Sequence, residues 1–137
     1  MNPQVYFTAQ APAPIGPYNQ AIGFGGLLFV SGQIALLPDS GDLVTSTIED
    51  ETRQVMENLR AILQDAGTDF QHVLKCSIFV RNMDDYNRIN EVYGSYFNHD
   101  SAPARELVEV AALPRNVNVE ISCIAALDQG VSVTGNQ

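Results

Sequence analysis

Arg105 and Glu120 are the two residues of this chain whose chemistry points most directly to a function. A guanidinium is planar and permanently charged, so it can hold a carboxylate through two parallel hydrogen bonds. A glutamate close to it could transfer protons or orient water. Two simpler interpretations stay open, because Arg105 could pair only with Glu109 and Glu120 could be a solvated strand residue. Acting together, the two residues predict a site for a small carboxylic acid.

The spacing of apolar residues predicts that both residues lie on a β-hairpin with strands at 105–113 and 117–126. Successive side chains of a strand point to opposite faces. In the first strand, Val108 is expected to face the core and Arg105 the opposite side. The second strand has an apolar face and a polar face, and Glu120 lies on the polar one. The hairpin would therefore present charged groups on a structured surface.

Within such a hairpin, Arg105 and Glu120 would not face each other. If the turn is centred between Pro114 and Arg115, Glu120 pairs with Glu109. At about 3.3 Å per residue, Arg105 then lies more than about 10 Å along the ladder from Glu120. A bulge, a shifted turn or assembly across subunits would have to bring them together, and the sequence does not distinguish these three.

The elements that precede the hairpin are predicted from the periodicity of the sequence and from turn residues. The first helix has two candidate capping boxes at its start and a glycine placed to end it. The predicted elements are a hairpin within 18–33 with a Gly25-Gly26 turn, a helix from Ser46–Glu49 or Thr47–Asp50 to Gly67, a strand at 73–81, a helix at 84–97 and the final hairpin.

The order β-β-α-β-α-β-β predicts an α+β fold, with a mixed sheet and both helices on one of its faces. The other face is expected to be uncovered and to carry Phe79, Leu107 and either Phe29 or Ile34. An uncovered sheet face with apolar residues needs a partner, and another copy of the chain is the simplest one.

Length and composition limit the classes of function. The 137 residues suit one domain, placed at 1–127, and a polar tail at 128–137. A net charge of −9 opposes binding to nucleic acid, and no apolar run approaches the roughly 18 residues of a membrane span. Without a signal-peptide pattern, a cytoplasmic location is expected. Cys76 and Cys123 are expected to be buried free thiols, and neither histidine has a partner at ligand spacing, so no metal site is predicted.

Seven segments, taken together and in order, resemble the RidA/YjgF family of reactive-intermediate deaminases. No single segment is specific, but the combination extends over nearly the whole chain up to about residue 127. The segments are GPYNQA at 16–21, FVSGQI at 29–34, VMENLRAIL at 55–63, NEVYGSYF at 90–97, PAR at 103–105, VAALPR at 110–115 and VEI at 119–121.

The resemblance implies a chorismate-mutase-like (YjgF-like) α+β fold that assembles as a homotrimer with clefts between subunits. It also implies cofactor-free hydrolysis of enamines and imines, namely 2-aminoacrylate, 2-iminopropanoate and 2-iminobutanoate, to 2-oxo acids and ammonia. Pyridoxal-phosphate enzymes release these compounds, but no cofactor is expected in this chain.

The resemblance assigns roles to individual residues. Arg105 matches the arginine that holds the substrate carboxylate, and Glu120 matches the acid that positions the hydrolytic water. The residues that match the cleft lining are Tyr18 and Asn90, which shape it, and Ser31 and Gly32, which form its floor.

One motif departs from the family pattern. Many deaminase members have Arg-Ser-Cys where this chain has Arg105-Glu106-Leu107. Leu107 has no thiol, so only its backbone N–H and C=O remain available to the substrate. Glu106 would have little effect if it points away with Val108, but it would compete with an anionic substrate if it reaches Arg105. Two alternatives therefore stay open: a metabolite-binding or chaperone-like module without turnover and, less favoured by the charge, an endoribonuclease or translation inhibitor.

Overall fold

The computed structural model of the protein describes residues 2–127, so the predicted tail at 128–137 lies outside the described residues. The strands are β1 (Gln4–Tyr6), β2 (Ala21–Phe24), β3 (Leu27–Gln33), β4 (Val73–Val80), β5 (Ala104–Glu109) and β6 (Val119–Ala126). The helices are α1 (Ile48–Asp65) and α2 (Tyr86–Gly94). The sequence analysis missed β1, because three residues are too few to show a periodicity.

The strands form one sheet in the order β1-β2-β3-β6-β4-β5. β4 and β5 are parallel, and the other neighbouring pairs are antiparallel. The helices and one face of the sheet share a buried cluster that includes Leu59, Ile89, Ile78 and Ile121. This confirms the predicted α+β class, with a mixed sheet and two helices on one face. Neither helix in the described part of the chain has the length and apolar character needed to cross a membrane.

The ends of α1 follow the local signals in the sequence. The Thr47 Oγ1 accepts a hydrogen bond from the Asp50 N–H at 3.0 Å, so the helix uses the second predicted capping register. After the helix, Gly67 has a φ of +84°, a conformation that favours glycine. The Thr68 N–H then donates to the Leu63 carbonyl at 2.9 Å and closes the last turn.

Two other local predictions are confirmed with small changes in their bounds. Gly25 and Gly26 have φ values of +61° and +82° and join β2 to β3, as a two-residue hairpin turn requires. The second helix is shorter than predicted, because a 3₁₀ turn at Met83–Asp85 precedes it and it ends at Gly94.

The final hairpin was predicted wrongly. β5 pairs in parallel with β4, whereas β6 lies between β3 and β4 and is antiparallel to both. Alternation of apolar residues identifies the faces of a strand but not its neighbours. The unit β4–α2–β5 is a crossover connection, which makes its strands parallel. Residues 110–118 carry the chain from β5 past β4 to β6, through a 3₁₀ turn at Pro114–Asn116.

The uncovered face of the sheet exists, but its residues differ in part from those predicted. Phe29 and Val108 are 44% and 43% exposed on this face, and Phe79 is half-buried between their strands. Leu107 faces the helices instead, so the two faces of β5 are reversed relative to the prediction. Ile34 is buried in a small separate cluster. For Leu107 and Val108, the cause is again the wrong neighbour predicted for β5.

Candidate functional site

A cavity of about 400 Å³ lies between the end of β3, the start of β6 and the proline-rich segment before β2. Four predicted site residues line this cavity, which we call the Glu120 pocket: Tyr18, Ser31, Gly32 and Glu120. The rest of its wall is mostly apolar. The structure therefore brings together more than half of the predicted site.

Gly32 and Ser31 lie at an irregularity of β3, where its pairing with β6 shifts between Val30 and Gln33. A Cβ atom built on Gly32 would lie 2.5 Å from Glu120 Oε2, so any larger residue would displace the carboxylate from its present position. The Ser31 hydroxyl donates to the Asn19 carbonyl at 2.6 Å. Gly32 thus admits Glu120, while Ser31 ties β3 to the segment before β2.

The Glu120 carboxyl is half-buried, and this burial raises its pKa above the ordinary value. Among the described residues, no group donates a hydrogen bond to it. A carboxyl with a raised pKa and free oxygens in a cavity can accept a proton from water and return it. These properties fit the chemistry predicted for Glu120.

The side chain of Arg105 lies on the helix-covered face of the sheet, against α2. Its Nη1 donates to Asn90 Oδ1 at 2.5 Å, and its Nη2 donates to the Tyr86 hydroxyl at 3.3 Å. The guanidinium carbon also lies 5.1 Å from the ring centre of Tyr93. Successive members of the series 86, 90 and 93 are about one helical turn apart, so all three side chains contact Arg105 from the same face of α2.

Arg105 has no carboxylate partner among the described residues. Glu109, its suggested partner, accepts a hydrogen bond from the Met83 N–H at 2.9 Å instead. The hydrogen-bond partners of Arg105, Asn90 and Tyr86, are neutral, so they orient the guanidinium without neutralising its charge. The arrangement therefore leaves a fixed positive group that can bind an anion.

A sequence model of the family described as Endoribonuclease L-PSP matches residues 8–127. The chain belongs to this family. The match confirms the RidA/YjgF membership that the seven motifs predicted.

Relatives and solved structures of this family resemble the chain over most of its length. A RutC family protein of Synechocystis sp. is 48% identical over 128 residues, covering 93% of this chain and 98% of the relative. The 2-iminobutanoate/2-iminopropanoate deaminase of Mus musculus is 44% identical over 122 residues, covering 89% and 90%. The crystal structure of E. coli TdcF with bound serine has a TM-score of 0.85 at 36% identity, covering 91% and 99%. The family thus includes deaminases of reactive imines.

In this family member, Arg105 and Glu120 lie on opposite faces of the sheet. Arg105 pairs with Cys76 of β4, which faces the helices, and Glu120 pairs with Phe79 on the uncovered face. β4 separates the two strands, and the two pairs are three residues apart along it. Neither a bulge nor a shifted turn joins the two residues within one chain.

The motif that departs from the family pattern has a simple structural outcome. The Glu106 carboxylate accepts a hydrogen bond from the Ser77 hydroxyl at 2.9 Å and lies 3.3 Å from Lys75 Nζ. These partners, Ser77 first, lower the pKa of Glu106. Glu106 therefore points away from Arg105, and Leu107 packs its side chain against the core rather than into the Glu120 pocket.

Several residues at these two places were not identified as site residues from the sequence. Tyr86 and Tyr93 lie on the predicted helix at 84–97, and their helical spacing from Asn90 could have placed them around Arg105. Gln20 lines the Glu120 pocket, and its role depends on contacts that no local pattern shows. Within residues 2–127, no group of three or more His, Cys, Asp or Glu residues is arranged to bind a metal ion.

Proposed function

We propose that this protein hydrolyses small 2-imino acids and their enamine forms to 2-oxo acids and ammonia. The substrates would be 2-aminoacrylate, 2-iminopropanoate and 2-iminobutanoate. The observation that carries the proposal is the Arg105 guanidinium, which α2 orients through Asn90 and Tyr86 without neutralising it. A relative named for this activity is 44% identical over 89% of the chain, and a similar structure holds serine, which also has a carboxylate.

The proposed reaction needs a bound carboxylate and one oriented water molecule. Arg105 holds the substrate carboxylate by paired hydrogen bonds. Glu120, as a carboxylate, accepts a proton from water while the water oxygen bonds to the imine carbon and the C=N electron pair moves to nitrogen. Protonated Glu120 then returns the proton to the amino nitrogen. Ammonia leaves as the C=O bond forms, and the Glu120 carboxylate takes up the hydroxyl proton, which it releases to solvent. The iminium carbon is already electrophilic, so orientation and proton transfer suffice and no cofactor is proposed.

The proposed active site is shared between two copies of the chain in a homotrimer. Arg105 and Glu120 lie on opposite faces of one sheet, so one chain does not place them around the same small substrate. A closed ring would bring the Arg105 side of one chain to the Glu120 pocket of the next and would repeat the same site at each interface. The exposed apolar residues of the uncovered sheet face support such an assembly.

Tyr18, Ser31 and Gly32 would line the side of the site nearest Glu120, and Asn90 would orient Arg105. Leu107 would offer only its backbone. A cytoplasmic location would place the protein beside the pyridoxal-phosphate enzymes that release its substrates.

The direct test is the release of ammonia and pyruvate from 2-aminoacrylate generated in the assay. We expect wild type to accelerate this release and Arg105→Ala to lose about 100-fold or more in kcat/KM, because a charge-stabilising group is removed. Arg53→Ala is the matched control, since Arg53 is exposed on α1, does not line the Glu120 pocket and is not among the hydrogen-bond partners of Arg105. Equal rates for wild type and Arg105→Ala would overturn the proposal. Binding of 2-oxo acids without turnover would favour the metabolite-binding alternative.

A further inference from the structure

We propose that Gln20 is a positioning residue that holds the proline-rich segment 11–18 as the wall of the Glu120 pocket that receives the substrate side chain. This inference rests on the proposed function and deepens it. Gln20 lies just before β2, and its side chain is only 2% exposed. Pro12, Ile15 and Tyr18 of the segment line the same pocket.

The Gln20 side chain makes hydrogen bonds with the backbone of residues 8–12, just before the segment and at its start. Its Oε1 accepts from the Thr8 N–H at 2.7 Å. Its Nε2 donates to the carbonyl groups of Thr8 at 3.0 Å, Pro12 at 2.9 Å and Ala11 at 3.3 Å. One buried amide thus satisfies a backbone donor and several backbone acceptors of residues 8–12, which belong to no strand or helix and lead into the segment.

The segment depends on this amide because it has few other means of holding its position. Prolines have no backbone N–H, and Pro12, Pro14 and Pro17 remove three possible donors. Of residues 11–18 only Ala11 is buried, and Ile15 is 71% exposed, so burial holds the segment only at its first residue. Two other hydrogen bonds, from the Ile15 N–H to the Tyr18 hydroxyl at 3.4 Å and from the Tyr18 N–H to the Gly16 carbonyl at 2.8 Å, are internal to the segment.

Gln20 also connects this wall to the catalytic side of the pocket. Its backbone carbonyl accepts a hydrogen bond from the Ser31 N–H at 2.9 Å, and Ser31 precedes the glycine that admits the Glu120 carboxylate. The side chain of Gln20 therefore fixes how far the apolar wall lies from Glu120. Loss of its hydrogen bonds should change which substrate side chains fit more than it changes the hydrolytic step.

The test compares imines derived from alanine and from leucine, which differ in how much of the wall they reach. Gln20→Met keeps the length of the side chain and removes its hydrogen bonds. In Gln20→Met we expect kcat/KM for the leucine-derived imine to fall about tenfold relative to kcat/KM for the alanine-derived imine. The change should come mainly from a higher KM for the leucine-derived imine. Gln20→Glu keeps the oxygen that accepts from Thr8 but places a buried carboxylate oxygen against the carbonyl groups of Thr8, Ala11 and Pro12, so it should not restore the ratio. Gln71→Met, at an exposed glutamine outside the pocket, is the control.

A second measurement does not depend on turnover. Hydrogen exchange at the Thr8 amide should be slow in wild type and at least about tenfold faster in Gln20→Met, while the amides of α1 keep their protection. An unchanged kcat/KM ratio, or equal losses for both imines, in folded Gln20→Met would overturn the proposal. If wild type hydrolyses neither imine, the proposed function fails. In that case the positioning role of Gln20 is tested by hydrogen exchange at the Thr8 amide and by binding of two 2-oxo acids. Gln20→Met should weaken binding of 4-methyl-2-oxopentanoate more than binding of pyruvate.

Discussion

The Glu120 carboxylate lies against the backbone of Gly32, where a Cβ atom on residue 32 would be 2.5 Å from Oε2 and 2.9 Å from Cδ of Glu120. This contact connects β3 to β6 at the place where their pairing is irregular. The irregularity leaves Gly32 exposed in the pocket rather than covered by the neighbouring strand. A glycine inside a strand, which is normally unfavourable, is thus explained by the close approach of a carboxylate.

The first prediction concerns Gly32→Ala. The added methyl group meets the flexible end of Glu120 rather than the backbone, so we expect the fold to persist and the carboxylate to move by about 1 Å. A displacement of this size should lower kcat/KM about 100-fold with little change in melting temperature. Gly94→Ala is the matched control, because a Cβ there meets nothing within 4 Å. Wild-type activity in a folded Gly32→Ala protein would contradict a role for the Glu120 position.

The second prediction uses two carboxyl groups whose pKa values shift in opposite directions. Burial raises the pKa of Glu120 above 4.5, so the folded state holds its proton more tightly and this contribution to stability is lost as the pH rises through the folded pKa. Arg88 lowers the pKa of Glu49 to about 2, so that contribution is present above pH 4.5 and is lost as the pH falls through 2.

Glu120→Gln should therefore gain stability relative to wild type as the pH rises above 4.5, while Glu49→Gln should lose stability relative to wild type as the pH rises from about 2 to 4.5. Urea unfolding at fixed protein concentration measures both trends. Glu120→Gln should also lose imine hydrolysis, since a group that lowers stability and supports activity is typical of a functional site. The same pH trend in both variants would contradict a raised pKa of Glu120 in the folded protein.

The third prediction concerns the ring beneath Arg105. The Tyr93 hydroxyl is buried and has no hydrogen-bond partner among the described residues, and burial raises the pKa of Tyr93. Tyr93→Phe keeps the ring and removes this unsatisfied group, so we expect the free energy of unfolding to rise by about 1 kcal/mol. Tyr93→Leu removes the ring face as well and should weaken binding of 2-oxo acids. A loss of stability in Tyr93→Phe would mean that the neighbouring Cys76 thiol is a real hydrogen-bond partner.

Sequence reasoning predicted what is encoded locally and failed where a strand chooses a distant neighbour. The cap at Thr47, the glycine after α1 and the Gly25-Gly26 turn depend on residues within one turn of each other, and all three are present. β5 shows the opposite case, because its alternation is compatible with either neighbour. The pairing with β4 decided that Arg105 faces α2 and that Val108 is exposed.

The fourth prediction concerns the uncovered sheet face. Phe29 is 44% exposed on this face and pairs with Ile22 and Ile124, so a carboxylate at position 29 would be buried without a partner if another copy covers the sheet. Phe29→Asp should shift the protein from trimer to monomer in sedimentation velocity and lower imine hydrolysis in proportion. Since the side chain is exposed in a single chain, the monomer should stay folded by circular dichroism. A trimeric Phe29→Asp protein would contradict the proposed use of this face.

The fifth prediction tests whether the site is shared between chains. Arg105→Ala and Glu120→Gln should each be inactive alone, because each lacks one half of every site. If the halves come from neighbouring chains of a closed trimer, an equimolar random mixture should restore about one quarter of the sites, those that join an intact Arg105 to an intact Glu120.

The experiment unfolds the two variants together in urea, refolds them and measures ammonia release against each variant treated alone. Mixing Arg105→Ala with a variant that carries both substitutions is the control, since no pair of its chains contains an intact arginine. Activity that stays at the level of the separate variants would place both halves of the site in one chain, against the opposite faces that they occupy on its sheet.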